Sequence, residues 1–171
     1  SGNQVNAAQA TAANQPVFAM GSLNYNPSLK FDGAADYLQI SQAAITGKFP
    51  AGNAARTIIG VALPLSNATD QTPFTYGTFV ANQASGFRRT TAAAAVFEGD
   101  GLPSNITGPD NSFPLNKITA ISGRYTGGAS GIASLYTNSL TPIGSGPLNW
   151  ATLIGAQGAQ VGKYVGENRY W

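Results

Sequence analysis

The chain has no cysteine and no histidine. Without cysteine there is no disulfide, no thiolate nucleophile and no thiolate-bound metal. Without histidine it lacks the side chain that titrates near neutral pH, so Ser-His triads and imidazole-bound zinc are excluded, and most familiar hydrolytic mechanisms go with them. Charge is scarce as well. Asp, Glu, Lys and Arg make up 9% of the 171 residues, against about 25% in an ordinary soluble domain, so Gly, Ser, Thr, Asn, Gln and Ala must carry most of the surface. The net charge of +2 is carried by cations that stand singly apart from Arg88-Arg89. No basic stripe can neutralise a run of phosphates, and nucleic acid is not an expected partner. No apolar run reaches the roughly 18 residues of a membrane span, so membrane insertion is not expected. The opening SGNQVNAAQA is too polar and too uncharged to serve as a signal peptide.

What is present is an all-β rhythm. Period-two alternation recurs, helical periodicity is rare, and Gly or Pro interrupts the chain about every 8 to 15 residues. The length suits one domain spanning residues 1–171, with a core of its own. Candidate strands are residues 28–32, 37–40, 56–63, 73–81, 91–97, 117–125, 131–138 and 151–155. Residues up to Gln15 read as coil, because their Ala and Gln form no amphipathic stripe. A helical turn is expected at residues 42–46. The clearest local unit is KITAISGRYTGGASGIASLYTNS, two alternating segments around a Gly-rich loop, which reads as a β-hairpin. The long polar stretch GDGLPSNITGPDNSFP, residues 99–114, reads as a loop. Short alternating strands without a βαβ rhythm favour an antiparallel β-sandwich or jelly roll.

Three constellations carry possible chemistry. Glu98 and Asp100 stand two apart, as paired carboxylates do on the strand of a jelly-roll glucanase. The next expected acid position holds Pro103, and glycines flank Asp100, so a solvated turn is the simpler reading and a glycoside hydrolase or lyase ranks third among the functions. Aromatic rings with amide neighbours make sugar-stacking platforms. Tyr25, Tyr76, Trp150, Tyr164, Tyr170 and Trp171 are the candidates, with core packing the alternative for each. Arg88-Arg89 could grip an acidic polysaccharide or form a solvated strand face. Asn67-Ala68-Thr69 and Asn105-Ile106-Thr107 match the glycosylation sequon, a pattern with a high chance rate in so Asn- and Thr-rich a chain.

The succession SGNQVNAAQATAANQPVF and then SLNYNPSLKFDGAADYLQI resembles the start of bacterial laminin-G-like (concanavalin A-like) jelly-roll domains, in which such a segment precedes an FDG and DYL box. The hairpin ending in LYTNS and the closing ATLIGAQGAQVGKYVGENRYW are similar to later parts of the same family. The resemblance implies a jelly roll, with Phe31, Tyr37, Leu38 and Ile40 in the core or on a sheet face and Asp32-Gly33 as the turn between two strands. It also implies a non-catalytic adhesion or glycan-binding module at an extracellular or cell-surface location, with Tyr76, Arg88, Trp150 and Tyr164 as ligand-binding candidates. In some relatives a calcium ion is bound, which makes Asp32 and Asp36, with Asn24 or Asn26, the candidate Ca²⁺ ligands. Relatives usually carry a strand before the SGN segment and another beyond the position of Trp171. The chain is therefore expected to be an excerpt whose terminal strands come from neighbouring domains or chains, and a structural or assembly module is the alternative function.

Overall fold

The computed structural model of the chain describes residues 5–23, 25–101 and 104–171. Asn24, Pro103 and the first four residues of the SGN segment, all used in the readings above, lie outside the described residues. The protein is all-β, with twelve strands among the described residues: β1 Val17–Leu23, β2 Asn26–Lys30, β3 Leu38–Ile40, β4 Arg56–Ala62, β5 Gln71–Gly77, β6 Ala84–Arg89, β7 Ala95–Glu98, β8 Asn105–Thr107, β9 Thr119–Tyr125, β10 Gly131–Thr137, β11 Gly144–Leu148 and β12 Ala159–Val161. A 3-10 turn at Ala12–Asn14 and the four-residue helix α1, Gln42–Ile45, are the helical pieces among the described residues. Ser41 caps α1 by accepting the Ala44 N–H on its hydroxyl.

All strand pairs are antiparallel. They form a four-stranded sheet in the order β11-β10-β9-β4, a six-stranded sheet in the order β3-β12-β5-β6-β7-β8, and a separate hairpin of β1 and β2. The four-stranded sheet shows the alternation its sequence promises. Thr119, Ile121, Gly123 and Tyr125 of β9 and Gly131, Ala133 and Leu135 of β10 turn inward, while Ala120, Arg124 and Ile132 face out. The inward side chains meet Phe87, Ala95 and Phe97 of the six-stranded sheet in one core that also takes in Phe113 and Trp150. This is β-sandwich-like packing, driven by burial of the two apolar sheet faces. Gly123 shows how close the sheets come, since a Cβ there would lie 2.6 Å from the Phe97 ring. A second cluster of Ile40, Ile45, Tyr76 and Ala159 seats α1.

The six-stranded sheet is covered on its outer face too. Val96 and Ala84, which point away from Phe87 and Phe97, are as buried as those rings, and Tyr164 and Val165 of the C-terminal segment are buried with them. That double burial explains where the structure departs from the expected strands. A strand covered on both faces has no polar-apolar alternation to read, so β6 has no counterpart among the expected strands. Residues 91–94, read as part of a strand, instead form a turn in which Ala94 O accepts the Thr90 N–H and Ala93 adopts a φ of 59°. Residues 151–155 are not a strand, and there Thr152 makes one isolated bridge to Gly52. The expected hairpin is present, with Ala133 opposite Tyr125 and Thr137 opposite Ile121.

Candidate functional site

Asp32 sits in the turn that follows β2. Its Oδ1 accepts the N–H groups of Ala34, Ala35 and Asp36 at 2.8 to 2.9 Å, and Asp36 Oδ2 accepts the Asp32 N–H at 3.1 Å. Gly33 takes φ +76°, which the turn requires and which glycine adopts freely. These carboxylates are organised by the backbone, and no cluster of three acidic, His or Cys side chains suited to a metal exists among the described residues. The pair falls short of the six to eight oxygens that calcium takes. The N–H donors of Ala35, Asp36 and Ala34 hold the Asp32 carboxyl below the usual carboxylate range, whereas burial and the charge of Asp32 push Asp36 up.

A prediction follows from the signs. Because the folded-state pKa of Asp32 is depressed, its contribution is present above the unfolded value of about 3.9 and is lost as the pH falls through the folded value; Asp36 contributes with the opposite sign. Asp32→Ala is expected to cost about 1 kcal/mol, as loss of an N–H-capping carboxylate does. Asp32→Asn should keep part of the capping and flatten the decline of stability in acid. Urea unfolding across the acid range, repeated with calcium and with chelator, checks both the capping role and the metal reading.

The structure corrects the reading of Tyr76, Trp150 and Tyr164 as a sugar-stacking platform. Their relative exposures are 2%, 0% and 0%, so none offers a ring face to a ligand. Trp150 lies edge-on to Phe97 with centroids 4.5 Å apart, leans on Tyr125 at 5.2 Å, and donates its Nε1–H to Ser104 O at 2.7 Å. Beside it is a group that sequence reasoning missed, Arg56, which is buried at the start of β4. Its guanidinium donates to the hydroxyls of Tyr76, Ser85 and Thr152 and to the carbonyls of Gly52 and Ala54, and stands over the Tyr125 and Trp150 rings at 5.4 and 5.9 Å. No carboxylate takes part in these contacts. Arg56 joins the two sheets by hydrogen bonds to neutral oxygens and by cation-π contact.

Arg88 and Arg89 form neither a solvated face nor an open anion grip. Arg89 is fully buried, donating to Phe113 O, Ser66 O and Asn67 Oδ1, and burial pulls its pKa down. On the opposite face of β6, Arg88 bridges Asp70 at 2.5 Å and Glu98 at 3.1 Å. Arg169 reaches the other Glu98 oxygen at 3.2 Å, pairs with Glu167 at 2.6 Å, and lies 4.6 Å from the Tyr164 ring centroid. Burial pushes the Glu98 carboxyl up against the opposing pull of the two guanidinium groups. Burial and the nearby Glu98 and Asp100 carboxylates push the Tyr164 hydroxyl up. With both Glu98 oxygens held, this network fastens the C-terminal segment onto the sheet and offers no free acid-base pair.

One open feature lies elsewhere. A groove of about 730 Å³ runs between the β1-β2 hairpin and the end of β4, lined by Leu29, Phe31, Val61, Leu65, Ile118 and Trp171 among others. Trp171 stacks on Phe113 at 5.4 Å, donates its N–H to Gly162 O and accepts the Gly33 N–H, so this wall is tied into the sandwich. β4 pairs with β9 alone, and among the described residues its other edge meets no strand. Comparison of the chain with protein-family models, with curated proteins and with solved structures found no match in any of the three. The groove was not among the sequence candidates. The available signal was RTIIGVA, which places Ile59 and Val61 on the face turned away from Ile58, together with the adjacent apolar pair Val17-Phe18, which no single strand face can bury.

Proposed function

We propose that the chain is a non-catalytic adhesion or assembly module of jelly-roll, laminin-G-like type, placed at an extracellular or cell surface, which acts by binding segments of other proteins. The observation that carries this reading is the open edge of β4 beside a charge-poor apolar groove and an uncovered hairpin. Val17, Phe18 and Met20 are 62%, 63% and 78% exposed, and Ile59, Val61 and Leu65 are exposed with them. Exposed apolar side chains grouped on one hairpin and one edge strand support a site of protein contact. Support for the extracellular setting comes from the sequence resemblance and the charge-poor composition. The fully buried state of Trp150, Tyr76 and Tyr164 weighs against the glycan-binding form of the module, and the engaged oxygens of Glu98 weigh against a glycosidase.

The test is selection from a displayed peptide library in parallel with a glycan and polysaccharide array, the array run with calcium and with chelator. Saturable binding of apolar peptides with a silent glycan array is the expected result. Saturable glycan binding with no peptide selected would overturn the proposal.

A further inference from the structure

The sequence contains Asp-Gly twice, at Asp32-Gly33 and at Asp100-Gly101. In such a pair the peptide nitrogen of the glycine lies within reach of the preceding side-chain carboxyl, and no Cβ on the glycine hinders its approach. Both pairs stand in turns, but the turns hold them in opposite ways.

At the first pair both reacting groups are engaged. Asp32 Oδ1 accepts the N–H groups of Ala34, Ala35 and Asp36 at 2.8 to 2.9 Å. The Gly33 N–H donates to Trp171 O at 3.1 Å. Attack of the nitrogen on the carboxyl needs the carboxyl to turn and the nitrogen to give up its proton, and each change breaks hydrogen bonds of the folded chain.

At the second pair neither group is held. Among the described residues no acceptor takes the Gly101 N–H, no backbone N–H donates to the Asp100 carboxylate and no cation pairs with it. The turn is fixed by other atoms, since the Gly99 N–H donates to Ser104 O and Asn105 Oδ1 and the Ser104 N–H donates to Gly101 O. Asp100 is half-buried and Gly101 exposed, so water reaches the pair. A Cβ on Gly101 would meet nothing within 4 Å, which leaves room for a ring. Asp100 stands at φ 70°, a left-handed conformation that is strained for a side chain with a Cβ. Its charge also opposes that of the buried Glu98, and a neutral ring removes the opposition.

We propose that Asp100-Gly101 is a self-modification site of the folded chain, at which aspartate converts to isoaspartate, while Asp32-Gly33 is protected. The Gly101 nitrogen forms a C–N bond to the side-chain carboxyl carbon of protonated Asp100. The carboxyl OH and the proton of that nitrogen leave together as water, and a cyclic imide remains. Water then adds back across either of the imide C–N bonds. Cleavage at the side-chain carbonyl restores aspartate, and cleavage at the main-chain carbonyl leaves the chain running through the side chain as isoaspartate. Water is the only co-reactant. The product carries one more backbone carbon between Gly99 and Ser104, whose carbonyl receives the Trp150 Nε1–H at 2.7 Å, so the lengthened turn bears on the packed core.

The test holds the full chain folded in warm neutral buffer and, in parallel, unfolded in guanidinium chloride. Peptide mapping by mass spectrometry, with electron-transfer fragmentation to separate the isomers, follows both Asp-Gly pairs over time. In the folded chain isoaspartate is expected at position 100, preceded by a fraction lighter by one water, and forming at least several-fold faster than at position 32. In guanidinium chloride the two pairs should convert at similar rates. Asp100→Glu, whose ring would be larger by one atom, is expected to abolish the product there, and persistence of the lighter fraction at that position would overturn the assignment. The inference falls if the folded chain leaves Asp100 unchanged over the time in which the unfolded chain converts it, or if Asp32 converts as fast as Asp100 in the folded chain. An equal ratio of the two rates in both conditions would trace the difference to local sequence and overturn the protection of Asp32 by the fold.

Discussion

Replacing Trp150 by alanine is expected to remove about 3–5 kcal/mol of stability, the range for deleting a fully buried large aromatic. The indole contributes on three counts. It fills the space between Phe97 and Tyr125, it satisfies the Ser104 carbonyl through Nε1, and it forms part of the aromatic surface under the Arg56 guanidinium. Gly99 reports how tightly this site is filled, since a Cβ there would come within 2.1 Å of Nε1. Trp150→Phe keeps most of the apolar volume and removes one of the two donors to the Ser104 carbonyl, which keeps the Gly99 N–H, so it is expected to cost less than half as much. Urea unfolding of the two variants separates volume from hydrogen bond. A loss below about 1 kcal/mol for Trp150→Ala would contradict the core assignment. Any loss of ligand binding in Trp150→Ala would report unfolding, so this variant cannot serve as a probe of a surface site.

The second large effect is expected at Arg56. In Arg56→Met the apolar stem remains and the guanidinium is lost. The hydroxyls keep other partners, since Tyr76 donates to Pro50 O and Thr152 to Ala84 O. The carbonyls of Gly52 and Ala54 do not regain a donor from the new side chain. Gly52 O retains the Thr152 N–H, which leaves Ala54 O the more exposed loss. With one or two partly buried acceptors losing a donor, the buried hydroxyl cluster losing its shared partner, and the desolvation penalty of a buried cation relieved in part, the net loss should be about 1–3 kcal/mol. Arg56→Lys keeps a charge but concentrates three donors on one atom, which cannot span the hydroxyl cluster and the Gly52–Ala54 carbonyls together. It is expected to recover less than half of the loss, as read by the urea midpoint. Because Arg56 stands over the Trp150 ring, the double variant Arg56→Met/Trp150→Ala should lose less than the sum of the two.

Both predictions concern residues whose meaning changed between sequence and structure. Trp150 and Tyr76 read from the sequence as rings that pack in the core more readily than they face a sugar, but composition does not say which side of a strand or loop is covered and so left both roles open. Arg56 drew no notice, since a single arginine at the head of an apolar strand reads as a solvated end. The turn at Asp32-Gly33 was legible, because Asx-type capping and a positive φ are local requirements met by those two residues. So was the β9-β10 hairpin, whose alternation and Gly-rich loop need no distant partner to be recognised. By contrast, β6 and β12 were hidden. β6 is covered on both faces and shows no alternation, and β12 is three residues held between β3 and β5 by strands far away in the chain.

What the sequence by itself determined is the chemistry that this protein lacks and the local units that it forms. With no cysteine, no histidine and few charges, the sulfur and imidazole routes to catalysis are closed, and turn residues with alternating runs make an antiparallel all-β chain. Only the tertiary structure decided which aromatic rings are sealed in the core, that Arg88, Glu98 and Arg169 pair with one another, and that among the described residues β4 ends its sheet beside an apolar groove. The physical reason is range. Turn geometry and side-chain alternation act between residues a few positions apart, whereas burial, ion pairing and strand neighbours are set by segments brought together from across the chain.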